Sequence, residues 1–148
     1  RENAVRIKLN ALSAIVNGKR VVMVDDSIVR GTTSKRIIQL LRDAGAKEVH
    51  MRVSSPPFLY PCYFGTDIPN RDSLVAVGRT VEEIGELIGV DSLGFLSVDN
   101  MMKIAEGSKC GFCNACFTGE YPVPVEEARK ENESGNKDRK FIKVLGEE

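Results

Sequence analysis

The stretch Val21 to Ser34, Val-Val-Met-Val-Asp-Asp-Ser-Ile-Val-Arg-Gly-Thr-Thr-Ser, constrains this chain most. A short apolar run stops at two carboxylates and passes directly into a turn rich in hydroxyls. Val21 to Val24 are apolar throughout, as in a strand of a parallel sheet covered on both faces. From Ser34 onward Ile37, Ile38, Leu40, Leu41 and Ala44 recur at helical spacing, and Gly45 is placed to end that helix in a left-handed conformation. A second apolar run, Val49 to Val53, then completes a βαβ unit. The class is α/β.

The loop between strand and helix has the composition of a phosphate site. Amides at a helix N-terminus have no partner within the helix and sit at the positive end of its dipole, which favours an anion. Gly31 lets a ligand approach the backbone, and Ser27, Thr32, Thr33 and Ser34 add hydroxyl donors. Asp25 and Asp26 suit ribose hydroxyls or Mg2+ rather than phosphate itself. Diol and phosphate together indicate a sugar phosphate. No Gly-Lys-Ser/Thr is present, which excludes a Walker loop, and the Gly-x-Gly-x-x-Gly spacing of a dinucleotide fingerprint is absent. Gly31 is thus expected to serve the ligand, so that a bulkier residue there damages the loop and leaves the domain folded.

The length of 148 residues and a hydrophobic fraction of 42% fit one modest globular domain. Acidic and basic residues balance at 21 each, so no electrostatic field draws nucleic acid or an anionic membrane, and neither is expected as a partner. Apolar runs fall far short of the roughly 20 residues of a membrane helix, and no signal peptide opens the chain, so a cytoplasmic setting is expected. The first residue, Arg1, stands close to an apolar pattern already under way, which reads as a piece of a longer protein.

Val5, Ile7 and Leu9 alternate with polar residues, leaving Arg1, Arg6 and Lys8 as surface charge, and Asn17-Gly18 signals a hairpin into the central strand. His50, the only histidine, reads as a satisfied or surface imidazole on the second strand. Ser54-Ser-Pro-Pro57 then breaks regular structure and opens a loop containing Phe58, Tyr60, Cys62, Tyr63 and Phe64, too apolar to stay uncovered. Leu74, Val75 and Val77 suggest a short helix ending near Gly78. Thr80 and Glu83 form a capping box ahead of Ile84, Leu87 and Ile88, with Gly89 closing that helix. Leu93 to Val98 reads as a buried strand, Asp99 as the cap of one more helix running through Ile104 to Gly107, and Met101 and Met102 as core. Beyond Val125, 13 of the last 23 residues are charged, so residues 126–148 are expected to form a mobile tail.

Cys110-Gly-Phe-Cys113-Asn-Ala-Cys116 contains two overlapping Cys-x-x-Cys units. In a cytosolic chain such pairs bind metal more often than they form disulfides, with zinc and iron-sulfur as the candidates. Zinc held by all four cysteines is one option. A redox dithiol is a weaker one, because the strand-to-helix context of thioredoxin-like proteins is missing. Spacing alone does not choose between Cys110/Cys113 and Cys113/Cys116.

Asp25-Asp-Ser-Ile-Val-Arg-Gly-Thr-Thr33 after an apolar strand resembles the phosphoribosylpyrophosphate (PRPP) motif of type I phosphoribosyltransferases, and its wording most resembles the amidophosphoribosyltransferases. Ser54-Ser-Pro-Pro with Tyr60-Pro-Cys62, Asp91-Ser-Leu-Gly-Phe-Leu-Ser-Val98 and Cys113-Asn-Ala-Cys116-Phe-Thr-Gly-Glu-Tyr-Pro122 extend the likeness, in the family's order, from about Val5 to Val125. The resemblance is to the iron-sulfur branch. It implies a type I phosphoribosyltransferase-like fold, here a partial parallel sheet with flanking helices plus a cysteine-rich C-terminal segment of helix and loop. Residues 1–125 would be the C-terminal part of the transferase domain.

The implied reaction opens purine synthesis: ammonia from glutamine is transferred to PRPP, giving 5-phosphoribosylamine and pyrophosphate. Asp25, Asp26, Ser27, Ile28, Val29, Arg30, Gly31, Thr32 and Thr33 would bind PRPP, with Asp25 and Asp26 also serving Mg2+. Cys62, Cys113 and Cys116 would ligate a 4Fe-4S cluster whose fourth ligand lies upstream, with Cys110 spare. Purine nucleotides are implied as feedback inhibitors and a homo-oligomer as the assembly. The glutaminase domain would lie upstream too, so the fragment alone is expected to be inactive, and none of its residues is assigned as catalytic. Two rival classes share the loop, a salvage phosphoribosyltransferase and a non-enzymatic PRPP-binding regulator. A salvage enzyme has no use for three clustered cysteines, and such a regulator usually brings a DNA-binding domain, which could only lie upstream here.

Overall fold

A computed structural model describes residues 13–68 and 70–126. The alternating Val5–Leu9 segment, the surface charges Arg1, Arg6 and Lys8, and all but the first residue of the charged tail lie outside the described residues. The elements run α1 (Ser13–Val16), β1 (Arg20–Asp25), α2 (Thr32–Asp43), β2 (Glu48–Val53), a 3-10 turn (Arg71–Ser73), α3 (Val81–Ile88), β3 (Ser92–Phe95), α4 (Val98–Lys103) and α5 (Ala115–Thr118).

The three strands form one parallel sheet in the order β1-β2-β3, with Val21 opposite Val49, Met23 opposite Met51, Met51 opposite Leu93, and Val53 opposite Phe95. These in-register residues share one face because strand side chains alternate. On that face Ile38 and Leu41 of α2 and Ile84 and Ile88 of α3 pack against Val49, Met51, Val53, Leu93 and Phe95. Each such side chain taken fully out of water contributes about 1.5–3 kcal/mol.

The other face departs from expectation. β1 is an edge strand among the described residues, and Val22 and Val24 are 63% and 71% exposed, so this strand is covered on one face only. β2 carries Glu48, His50 and Arg52 on that side. The expected satisfied histidine is found here: His50 shares hydrogen bonds with Ser92 Oγ at 2.9 Å and Glu48 Oε2 at 3.0 Å.

Local expectations divide by how much tertiary structure they needed. Thr80 and Glu83 make both bonds of the capping box, and Gly89 ends α3 with φ 87°. Gly45 follows α2 with φ 90°. Asn17-Gly18 does turn the chain, but it joins α1 to β1 and forms no hairpin between the described residues. The helix read from Leu74, Val75 and Val77 is instead a 3-10 turn followed by a looser turn to Gly78. Leu74, Val75 and Ala76 are buried consecutively, which no one-sided helix allows. β3 stops at Phe95, and Ser97 rather than Asp99 caps α4 by accepting from the Asn100 amide. Met101 and Met102 on α4 are half-buried, outside the main core.

Asp91 ties these pieces together. Its carboxylate accepts the Val49 amide at 2.6 Å and Arg42 of α2 at 2.7 Å, while its own amide donates to the Val49 carbonyl at 2.8 Å. Val49 is fully buried, so Asp91→Ala strands its amide and should destabilise the full-length protein by about 1–3 kcal/mol in urea unfolding. The Val49 amide, supported by Arg42, outweighs desolvation and holds this carboxyl below its usual range. A depressed folded value stabilises above the unfolded carboxylate range and loses that stabilisation as pH falls through the folded value. The gap between wild type and variant should therefore close as pH falls below about 4.

Candidate functional site

The carboxyl end of β1 and the N-terminus of α2 enclose an open hollow of about 430 Å³, lined by Asp25 to Ser34 and by Asp67. Every residue expected to bind the sugar phosphate is present. The strand end is pinned because the Ser54 amide and hydroxyl both donate to the Asp25 carbonyl, at 3.0 and 3.2 Å. The Asp25 carboxylate accepts the Asp26 amide at 3.0 Å, and the Asp26 carboxylate accepts the Ser27 hydroxyl at 3.0 Å. Two adjacent carboxylates are thereby fixed at the mouth.

Beyond them the loop is held from below. Ile28 is 2% exposed in the main core, and Val29 packs into a second cluster built on Phe58, Ile68 and Leu74. The Val75 amide donates to the Val29 carbonyl at 2.8 Å. Arg30, Thr32 and Thr33 are exposed toward solvent, and no side chain caps the first turn of α2. Its amides remain available to an anion.

Asp67 escaped sequence reasoning. It arrives from the loop after Cys62, while Ser34, expected as a hydroxyl donor, is buried at the start of α2. The local sequence around Asp67 carries no periodic signal. Only the folded position of its loop brings it to the hollow.

The aromatic loop is covered by the cysteine segment. Leu59 and Tyr60 amides both donate to the Cys116 carbonyl at 3.0 Å, and Phe58 packs on Phe117 with ring centroids 4.8 Å apart. Gly119 lies flat on Tyr60, where a Cβ would meet the ring at 2.8 Å, and its φ of 80° also requires glycine. Tyr121 donates its hydroxyl to the Pro61 carbonyl at 2.8 Å and packs on Tyr63 at 5.2 Å. The run Phe117-Thr-Gly-Glu-Tyr121 is a clasp that brings Cys116 to the Cys62 loop.

All four cysteines are free thiols. Burial first, then the charges of Cys62 and Cys113, push the Cys116 thiol up to about 11. Burial also opposes ionisation of Cys62, but amides of Gly65, Phe64 and Thr66 outweigh it and hold this thiol below the ordinary range. Cys110 is exposed beside Ser108, its sulfur 3.5 Å from the hydroxyl oxygen. Among the described residues no three His, Cys, Asp or Glu side chains form a group that could hold a metal ion.

No family-level sequence profile matches the chain. It is 55% identical over 127 residues to the amidophosphoribosyltransferase of Archaeoglobus fulgidus, covering 84% of this chain and 28% of that protein. The Bacillus subtilis amidophosphoribosyltransferase is 54% identical over 129 residues, with 84% and 27% covered. The chain belongs to the amidophosphoribosyltransferase family. The Methanocaldococcus jannaschii member is 49% identical over 148 residues, all of this chain and 28% of that one. In structure it is similar to the glutamine PRPP amidotransferase of B. subtilis complexed with ADP and GMP, with TM-score 0.70 and 52% identity over 77% of this chain and 26% of that one. The chain thus spans about a quarter of the length of the relatives it matches. The parallel sheet with flanking helices is the fold expected from the resemblance.

Gly31 proves to serve packing. Its φ is 75°, and a Cβ there would lie 3.3 Å from Cγ2 of both Ile88 and Val75. The expectation that a bulkier residue damages the loop alone is revised, because the loop backbone rests directly on the core. Gly31→Val should cost about 2–4 kcal/mol, combining left-handed strain with overpacking, and should lower Tm in the full-length protein.

Proposed function

We propose that this chain is the PRPP-binding and thiol-bearing part of an enzyme that transfers ammonia from glutamine to PRPP, forming 5-phosphoribosylamine and pyrophosphate. The observation that carries the reading is the hollow at the end of β1, with two carboxylates on one side and the uncapped amides of α2 on the other. A ribose 5-phosphate matches that pair of features. Its phosphate meets the amides of the first turn of α2 and the hydroxyls of Ser27, Thr32 and Thr33, and its 2- and 3-hydroxyls donate to Asp25 and Asp26.

In this reading the protein works by position and charge. The loop holds the ribose while ammonia bonds to the anomeric carbon and the bond to pyrophosphate breaks, the electron pair leaving with pyrophosphate. Asp25 and Asp26 hold a sugar that becomes positive at its anomeric centre, and neither takes a proton. Mg2+ at these carboxylates would offset the charge of the leaving pyrophosphate. Glutamine hydrolysis belongs to the portion of the protein outside this chain. Purine nucleotides are natural inhibitors of such a site, since a nucleoside monophosphate offers the same ribose 5-phosphate. A cytoplasmic homo-oligomer completes the proposal.

Cys62, Cys113 and Cys116 are assigned to a 4Fe-4S cluster with the fourth ligand elsewhere in the protein. The soft thiolate set and the packing of Cys62 and Cys116 in one cluster with Phe58 and Phe117 support it. A lone zinc ion would gather its sulfurs to about 3.8 Å from one another, twice a short radius at the tetrahedral angle. A cubane spreads them, each on its own iron. Bound there, the cluster would cross-link the Cys62 loop, the cysteine segment and the rest of the protein. A salvage phosphoribosyltransferase or a PRPP-binding regulator explains the hollow but leaves the Cys62–Cys116 clasp without purpose.

In the full-length enzyme, Asp25→Asn with Asp26→Asn should reduce phosphoribosyl transfer at least a hundredfold while glutamine hydrolysis persists. Unchanged PRPP affinity and turnover would refute the assignment. Protein prepared without oxygen should hold roughly four irons and four sulfides per chain, as a cubane requires. Serine at Cys62, Cys113 or Cys116 should abolish that content, and Cys110→Ser should retain it. One zinc without sulfide would replace the cluster, and iron loss on Cys110→Ser would move the ligand pair toward Cys110/Cys113.

A further inference from the structure

Asp67 stands apart among the residues lining the hollow, because it comes from a different segment of the chain from Asp25 to Ser34. Its backbone is nevertheless fixed against the phosphate loop. The Cys62 amide donates to the Ile68 carbonyl at 3.1 Å and the Ile68 amide to the Thr66 carbonyl at 2.8 Å. Ile68, 1% exposed, sits with Phe58 and Leu74 in the cluster against which Val29 packs. The Asp67 side chain is exposed and, among the described residues, has no hydrogen-bond or ion-pair partner. The other two carboxylates of the hollow are engaged, Asp25 with the Asp26 amide and Asp26 with the Ser27 hydroxyl, each at 3.0 Å. A third carboxylate beside an anionic sugar phosphate opposes ground-state binding. It assists the reaction only by meeting positive charge that develops there later.

We propose that Asp67 is a further catalytic residue, the group that receives the attacking ammonia and takes its surplus proton. This role rests on the PRPP chemistry proposed above and fills a step that Asp25 and Asp26 leave open. A ribose held by its 5-phosphate and its 2- and 3-hydroxyls turns its anomeric carbon toward the rest of the lining. Of the charged lining side chains that remain, Arg30 suits phosphate and Asp67 suits a nitrogen that becomes cationic. The lone pair of ammonia forms the new carbon–nitrogen bond while the bond to pyrophosphate breaks and its electron pair leaves with pyrophosphate. The nitrogen is then positive and carries three hydrogens, and one proton passes to the Asp67 carboxylate, leaving the neutral amine.

The test uses the full-length enzyme with ammonium chloride in place of glutamine, reading pyrophosphate release. Asp67→Asn keeps the size and one acceptor oxygen but takes no proton, and Asp67→Ala removes both. Each should lower kcat at saturating ammonia by about a hundredfold, the lower end of what a positioned base contributes. KM for PRPP and the Mg2+ requirement should not rise. Hydroxylamine is a less basic nucleophile whose adduct gives its proton to water more readily, so the deficit of Asp67→Asn should shrink severalfold with it. Wild-type kcat in both variants would overturn the role of Asp67. So would an equal deficit with both nucleophiles, which marks a merely structural part. A raised KM for PRPP or a raised Mg2+ requirement would make Asp67 a ligand of sugar or metal, and would overturn it too. Wild-type enzyme that releases no pyrophosphate from PRPP and ammonia would instead overturn the proposed function itself, so the two failures are distinguishable.

Discussion

The hydrogen bond from the Val75 amide to the Val29 carbonyl, 2.8 Å long, joins the two halves of this structure. Val29 stands at the middle of the phosphate loop, between Ile28 in the core under the sheet and a second cluster that includes Cys62, Cys116 and Phe117. A loop that presents its amides to an anion must keep its own carbonyls pointed away. Here the carbonyl is occupied by Val75 from beneath, and hydrophobic anchors on both sides stop the loop from rolling. Gly31 completes the support, because only a residue without a side chain can sit against Ile88 and Val75 at a positive φ. The ligand-facing surface is therefore a by-product of how the underside is packed.

The two faces of the sheet tell different stories about completeness. One carries a continuous core from α2 and α3, with Val49 and Met51 wholly out of water. On the other, Val22 and Val24 stand in solvent next to a polar chain in which Arg52 reaches Ser92, Ser92 meets His50, and His50 meets Glu48. Leaving two valines exposed forgoes roughly 1.5–3 kcal/mol each relative to burial. Parallel strands are ordinarily buried on both sides. A chain that spans about a quarter of its relatives' length has no obligation to satisfy that rule by itself.

What could be read from the sequence followed the range of the interaction. The capping box at Thr80 and Glu83, the glycine after α2 and the strand-loop-helix around Asp25 are settled within a few residues, and each was legible. So was the satisfied state of His50, since a lone imidazole between apolar neighbours on a strand needs partners. Three consecutive buried residues, Leu74 to Ala76, imitate a helix pattern, yet Leu74 is buried in the cluster with Val29, Phe58 and Cys62 while Val75 and Ala76 belong to the main core. Ser97 displaced Asp99 as the cap because β3 ended at Phe95, a boundary set by pairing with Val53 rather than by local propensity. Asp67 reaches the hollow only through the fold of a loop whose own sequence has no periodicity.

The cysteine segment was not legible as architecture. Its Phe117, Gly119 and Tyr121 look like a motif tail, and in the structure each contacts the Phe58–Phe64 loop. That loop in turn supplies Asp67 to the hollow, while its Cys62 shares a cluster with Val29. The thiols and the phosphate loop are thus separated by a single layer of side chains. Whatever draws Cys62 and Cys116 together also presses Phe58 and Leu74 against the underside of Val29. In this family member the order of the loop between β1 and α2 is physically linked to the order of the cysteine segment, through packing rather than through any shared ligand.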